Sequence, residues 1–272
     1  MAITRDVNSS GKFAVVTGAS SGIGYHLARI FAENGFDLLV SSEDTGLNKA
    51  AADFSALGVQ VEAVQADLRN YDEVEKLWNA ISSSGRQVDA IAINAGVGVG
   101  GDFARETDLD AELKMIDLNV SSTVHLAKRV VKSMVQRGEG RILFTASIAG
   151  TMPTPLEAVY GATKAFILEF AQSLRFELKD TGVTVTALKP GPTDTNFFDR
   201  AGMDDTEVGT KGKSQNDPAD VARQGYDALM AGDQEIFASS FRTKAEGMLG
   251  KILPDSVKAA QHEKLAKRGT TE

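Results

Sequence analysis

Residues 13–24 read Phe-Ala-Val-Val-Thr-Gly-Ala-Ser-Ser-Gly-Ile-Gly, an apolar β-rich run that passes through a turn bearing Gly18, Gly22 and Gly24 into an amphipathic segment. A strand that feeds a glycine turn and then a helix forms a cradle for phosphate. The glycines permit a sharp turn, close approach of the backbone to an anion and tight helix packing, while free amides and the helix dipole favour negative charge. Glycines alone would equally serve a plain structural turn, so the rest of the chain decides.

Outward from this stretch, short β-rich runs alternate with longer amphipathic ones to about residue 239, the pattern of an α/β doubly wound parallel sheet with helices on both faces. The runs predict strands at Phe13–Thr17, Asp37–Ser41, Gln60–Ala66, Ala90–Asn94, Arg141–Ser147, Val183–Lys189 and Glu235–Ala238, several of them apolar almost throughout, as burial on both faces requires. Helical spacing recurs over Gly24–Asn34, Tyr71–Ser82, Asp108–Gln136 and Tyr160–Asp180, and Gly35, Gly58, Gly138 and Gly182 stand where left-handed caps close helices. The 272 residues carry no repeat, linker or low-complexity tract, so a single domain with a core over residues 12–240 is expected. Residues 196–217 are polar and aperiodic and begin after a strand end, the place of a substrate loop. Pro153–Val159, with Phe197, Phe198 and Met203 of that loop, would line the pocket. The extension over 241–272 reads as helical with a solvated, lysine-bearing face, subunit contact being the alternative.

Charge narrows the partners. With 37 Asp and Glu against 29 Lys and Arg, the net charge of −8 opposes nucleic-acid binding, which needs clustered cations to displace counterions. The chain has no cysteine, hence no disulfide, cysteine metal site or catalytic thiol. His26, His125 and His262 lack partners at metal-ligand spacing, so no metal is expected and all three read as solvated or helix-surface residues. No run approaches the roughly 18 apolar residues of a membrane span and the N-terminus lacks a signal-peptide core, which leaves a cytoplasmic location as the expectation.

Tyr160 and Lys164 are four apart on a predicted helix, so both side chains address one ligand. A phenol is a poor base at neutral pH, and a neighbouring ammonium favours its phenolate, which lowers the pKa toward the working range. Tyr160 can then exchange a proton with a carbonyl or alcohol oxygen. Alone, such a pair arises by chance on ordinary helices. Ser147 at a predicted strand end and Asn119 in Asp-Leu-Asn-Val also have bland readings, as a turn residue and as a mid-helix amide bonded to its own backbone.

Together these residues resemble the short-chain dehydrogenase/reductase family, whose glycine signature TGxxxGxG matches Thr17–Gly24, and the resemblance runs from Thr17 to Thr195. It implies a Rossmann-like fold and an NAD(P)-dependent oxidoreductase that moves a hydride between nicotinamide and a small carbonyl or alcohol substrate. The implied catalytic residues are Asn119, which would fix a water in a proton relay to the lysine, Ser147, which would hold the substrate oxygen, Tyr160 as general acid/base, and Lys164. The resemblance places the dinucleotide against Gly18, Ser20, Ser21, Gly22, Ile23 and Gly24, with Asp67 and Leu68 at the adenine. Asn94, Ala95 and Gly96 follow the fourth strand, where Ile93 departs from the family's first asparagine and removes a polar contact or strand brace. Tyr160 and Lys164 meet the nicotinamide ribose, and Pro190, Gly191, Thr193 and Thr195 face its amide. Family members commonly form homodimers or homotetramers on the helices over Asp108–Gln136 and Tyr160–Asp180.

Ser41 and Ser42 occupy the places that discriminate NAD from NADP, with neither the usual Asp nor the usual Arg. Serine hydroxyls could serve a phosphate, whereas Glu43 or Asp44 would repel it or hold a hydroxyl. The choice stays open, leaning slightly to NAD(H) because no Arg or Lys precedes Lys49 nearby. Two rival functions also stand: a non-catalytic nicotinamide sensor or scaffold, and a redox-neutral epimerase or lyase using the same site.

Overall fold

The computed structural model describes residues 11–203, 205–207, 209–210, 216–238 and 254–267. Strands β1 (Phe13–Thr17), β2 (Asp37–Ser42), β3 (Val61–Gln65), β4 (Ala90–Ile93), β5 (Gly140–Thr145), β6 (Val183–Pro190) and β7 (Glu235–Ala238) form one sheet in the order β3-β2-β1-β4-β5-β6-β7. All six pairings are parallel. The chain therefore crosses over after every strand, and the direction of winding reverses between β1 and β4, where the carboxyl ends of such sheets open into a ligand crevice.

The helices, in chain order, are α1 (Gly22–Glu33), α2 (Gly46–Ser55), α3 (Tyr71–Ser83), α4 (Leu109–Ile116), α5 (Ser122–Arg137), α6 (Ala158–Glu177), α7 (Phe197–Arg200), α8 (Pro218–Ala231) and α9 (Asp255–Ala266). Alternate strand residues feed two cores. Phe13, Val15, Ile91 and Ile93 pack with α3, α5 and α6, while Ala14, Val16, Ala90 and Ala92 pack with α1, α2 and α8. Burial on both faces is why the strands read as continuous apolar runs. The two edge strands keep exposed polar residues, Glu62 and Gln65 on β3 and Glu235 on β7.

Several expectations are refined. Strand ends move by a residue or two, and α2 follows β2 without having been singled out. The long helix expected over Asp108–Gln136 is interrupted by a π-helical turn at Asp117–Ser121. There Ser122 and Thr123 turn their hydroxyls back onto the Leu118 and Asn119 carbonyls, at 2.5 and 2.8 Å, so the widened turn keeps its acceptors paired. The aperiodic segment carries the short helix α7 just after Asn196. Of the C-terminal extension, α9 is described and residues 241–253 and 268–272 lie outside the described residues. Among the described residues no helix is long and apolar enough to cross a membrane.

Candidate active site

A cavity of about 1220 Å³ opens over the carboxyl ends of the strands and runs from the glycine turn to α9. Gly18 and Gly22 take positive φ, at 68° and 56°, and Gly24 sits so tightly that a Cβ there would lie 2.1 Å from the Gly18 carbonyl oxygen. The turn is thus built for glycine and no other residue. Ser21 caps α1 without a side-chain hydrogen bond, and the first turn holds no acidic side chain, so the helix amides face the cavity with nothing anionic of the protein's own against them. These residues fit a dinucleotide pyrophosphate. Across the cleft, Thr195 stands 3.0 Å from where a Gly22 Cβ would be.

Asn94 braces the floor. Its Nδ2 donates to the Thr17 carbonyl at 3.1 Å, its Oδ1 accepts from the Thr145 hydroxyl at 3.0 Å, and the amides of Asn94 and Ala95 both donate to Thr17 Oγ1 at 3.0 Å. One side chain ties β1, β4 and β5 together. Ile93, where the family pattern has an asparagine, is buried in the core and takes no part in this brace.

At the ribose end, Ser20 and Ser42 line the cavity and both donate to Asp44 Oδ2, at 2.6 and 2.9 Å. Asp44 also accepts from the Gly46 amide at 2.9 Å. Burial pushes the Asp44 carboxyl up, and the bonds from Ser20, Ser42 and Gly46 outweigh it, holding the group below its ordinary value. With their protons committed to Asp44, the serines offer lone pairs to the cavity. That reverses the expectation that they would serve a phosphate. Ser41 is a second correction: its side chain is fully enclosed, its hydroxyl has no hydrogen-bond partner and it does not line the cavity. Successive strand residues point to opposite faces, so only one of Ser41 and Ser42 can reach a ligand. The lean to NAD(H), drawn from residues near in sequence, also missed Arg69, which the β3–α3 turn brings onto Glu43 and, at 2.7 Å, onto Asp67.

At the catalytic end, Ser147, Tyr160 and Lys164 meet on the cavity wall. Lys164 Nζ donates to the Thr145 carbonyl at 3.0 Å and lies 5.8 Å from the centre of the Tyr160 ring. Burial lowers the Lys164 pKa to about 8. Burial raises the Tyr160 phenol, with the Ser147 hydrogen bond opposing, so the expected depression of its pKa is reversed. A phenol that keeps its proton at neutral pH is a general acid for reduction. Carbonyl reduction should therefore decline as pH rises through about 8, where Lys164 loses its charge. A pH profile of kcat/KM in the reductive direction checks this, and a rate rising through that range would count against it.

Asn119 does not line the cavity. Its Oδ1 accepts from the Val97 amide at 3.0 Å and its Nδ2 donates to the Val97 carbonyl at 2.9 Å and Thr163 Oγ1 at 3.0 Å. Both ends of the amide are spoken for by the loop after β4 and by α6, and a Cβ on Gly96 would find Asn119 Oδ1 and Lys164 Nζ at 3.1 and 3.2 Å. Its side-chain bonds therefore cross to other elements, unlike the bland mid-helix case, and they hold the floor beneath Lys164.

Beyond Tyr160 the wall is partly as expected. Phe197 packs on Tyr160 with ring centres 5.2 Å apart and lines the cavity with Phe198, whereas Met203 is buried behind them and, of Pro153–Val159, Glu157 alone lines the cavity. Leu156 is the one non-glycine residue with positive φ among the described residues, at 66°, and it packs with Phe198, Ala201, Met203 and Ala266 of α9. Next to it, Glu157 pairs with His262 of α9 at 2.9 Å, both side chains buried. Helix α9 therefore faces the cavity through Lys258, Gln261, His262 and Leu265 while its outer face, with Glu263 and Lys264, is solvated as expected, and the expectation of a surface His262 is corrected.

Comparison with known proteins agrees with this geometry. The short chain dehydrogenase family model matches residues 12–205. The chain is 34% identical over 177 residues to an NADP-dependent 3-hydroxy acid dehydrogenase of Salmonella typhi, covering 65% of this chain and 71% of that protein. It is 34% identical over 185 residues to a sulfoacetaldehyde reductase of Chromohalobacter salexigens, covering 67% and 73%. A short-chain dehydrogenase from Sphingobium yanoikuyae, solved with NADPH, superposes with a TM-score of 0.78 at 30% identity, covering 89% of this chain and 96% of that one. The chain belongs to the short chain dehydrogenase family. It is an NAD(P)-dependent oxidoreductase of that type.

Proposed function

We propose that Tyr160 is the general acid/base of a carbonyl/alcohol oxidoreduction, with Ser147 holding the substrate oxygen against the phenol and Lys164 fixing the nicotinamide ribose. The observation that carries this is the convergence of Ser147, Tyr160 and Lys164 on one buried wall of the cavity. A nicotinamide held by these residues would supply or accept the hydride at the carbon beside that oxygen. Tyr160 delivers the proton, Ser147 polarises the oxygen, and the apolar ring of Phe197 keeps water from the reacting atoms. Asn119 is a positioning residue that holds Val97 and Thr163 beneath Lys164. Gly18, Ser20–Gly24, Ser42, Asp67, Leu68, Asn94–Gly96, Pro190, Gly191, Thr193 and Thr195 all line the cavity and would hold the dinucleotide. A sensor has no use for a buried Tyr-Lys pair beside a serine.

For the choice of dinucleotide, the NADP named for the relatives supports NADP(H), against the lean to NAD(H). The Ser20–Ser42–Asp44 cluster keeps that preference modest, because it presents lone pairs where a 2′-phosphate needs donors. Replacing Asp44 by Ala frees both hydroxyls to donate and should raise the kcat/KM ratio of NADPH over NADH by about tenfold, the equivalent of one charge-assisted hydrogen bond. An unchanged or lowered ratio would remove Asp44 from this role.

The substrate is a small carbonyl or alcohol compound, and the relatives' hydroxy acids and aldehydes mark where to begin. A panel of such compounds with NADH and NADPH, followed by nicotinamide absorbance, tests the activity; dinucleotide binding without turnover on any of them would overturn it. Exposed Leu109 and Leu113 on α4 and Phe166 and Phe176 on α6 support a homodimer or homotetramer built on these helices, which light scattering at a monomeric mass would exclude. The acidic charge and the lack of a membrane-spanning helix among the described residues support a cytoplasmic setting, which fractionation of the cell tests.

A further inference from the structure

Helix α9 is the last described element, and sequence distance hides its connection to the chemistry: His262 and Glu157 are 105 residues apart and meet at 2.9 Å. Both side chains are almost wholly enclosed, at 8% and 4% exposure, and Glu157 directly precedes α6, three residues before Tyr160. The bond therefore fixes α9 to the start of the catalytic helix. A second contact reinforces it, because Ala266 packs into the small apolar cluster of Leu156, Phe198, Ala201 and Met203. The unfavourable backbone of Leu156, φ 66°, is held by that cluster and by its carbonyl, which accepts from the Gly101 amide at 2.7 Å. Strain of this kind persists only where surrounding packing over-determines it, and here it sets the direction of Glu157.

Held this way, α9 turns Lys258 toward the cavity. The Lys258 side chain is 18% exposed, while its ion-pair partner Asp255, 3.2 Å away and one helical turn earlier, is 76% exposed. An i,i+3 pair with one partner in solvent is worth only a few tenths of a kcal/mol. Glu157, which also lines the cavity, gives its carboxylate to His262, 2.9 Å away, and the ion-pair partner of Lys258 is Asp255. An anion inside the cavity would thus meet a partly desolvated ammonium, in a protein whose net charge of −8 repels anions elsewhere.

We infer that α9 is the substrate-recognising wall of this site, latched by the His262–Glu157 bond, and that Lys258 takes an anionic group, a carboxylate or its equivalent, on the far end of the carbonyl or alcohol substrate. The inference rests on the oxidoreductase reading of Tyr160 and adds the substrate's charge. His262 and Glu157 are positioning residues in it and Lys258 is the binding residue. Gln261 and Leu265, beside Lys258 on the same helix face, supply the polar and apolar contacts that flank the anion.

The test uses the Tyr160→Phe protein loaded with oxidised dinucleotide, whose turnover is slowed enough that binding is read ahead of chemistry. Short-chain hydroxy acids, each paired with its own methyl ester, are titrated by calorimetry. At least one acid should bind about tenfold or more tightly than its ester, the scale of one charge-assisted contact. Adding Lys258→Met should erase that preference, Lys258→Arg should restore it, and Lys264→Met, which removes a charge from the outer face of α9, should leave it as it was. If no acid is preferred, if the preference survives Lys258→Met, or if Lys264→Met erases it equally, the assignment of Lys258 is wrong. Acids that bind with this pattern but are not turned over by the Tyr160 enzyme would overturn the oxidoreductase reading and leave the anion site standing.

Discussion

Tyr160→Phe should bind dinucleotide as the parent protein does and turn over about 10²–10⁴-fold more slowly, the usual worth of a positioned general acid. The substitution removes one oxygen from a side chain that is only 8% exposed and leaves the ring against Phe197, so the wall keeps its shape. What goes is the proton that the buried phenol carries at neutral pH. Ser147 still polarises the substrate oxygen and Lys164 still donates to the Thr145 carbonyl, which is why residual activity above the uncatalysed rate should survive. Steady-state kinetics with a dinucleotide titration by fluorescence separates the two effects. A Phe protein at full speed would end the assignment of Tyr160.

Gly24→Ala should damage the other half of the site. The added methyl would lie 2.1 Å from the Gly18 carbonyl oxygen, 2.8 Å from the carbonyl carbon and 2.5 Å from Asn94 Nδ2. Two of those atoms are backbone and the third belongs to the brace across β1, β4 and β5, so none can yield without moving the turn. Overpacking of this kind costs about 1–3 kcal/mol of stability. Displacing the phosphate cradle by a fraction of an ångström to an ångström should weaken dinucleotide binding by roughly two orders of magnitude. Denaturant unfolding and a binding titration on the same sample measure both; parental affinity would show that the close packing at Gly24 does not govern the cradle.

The parts of this molecule that could be read from sequence are those whose spacing is local. The step from β1 through the glycine turn into α1 lies within a dozen or so residues and is fixed by φ values that glycine alone adopts easily. Tyr160 and Lys164 share a helix face because four residues make about one turn. What stayed hidden depends on contacts between distant segments or on strand parity. Ser41 and Ser42 looked equivalent until the sheet turned one into the core and the other into the cavity, an alternation that strand period could have flagged. Asp44 carried a usable signal, since an aspartate two residues before a glycine commonly bonds that backbone amide, as it does at Gly46. Arg69 reaches Glu43 from another turn, and the π-helical turn that places Asn119 leaves no trace in apolar periodicity. For His262 there was no local signal at all: it sits on a helix with little apolar patterning, and its burial comes wholly from packing against Glu157 and the cluster around Leu156.

The central claim is hydride exchange at a carbonyl carbon next to Tyr160, and isotope transfer reads it directly. With a substrate found in the panel and reduced dinucleotide deuterated on the transferable position of the nicotinamide, the account predicts one deuterium on the alcohol carbon for each dinucleotide oxidised. Product formed without label and without net oxidation of the dinucleotide would contradict it and reveal redox-neutral chemistry in the same cavity.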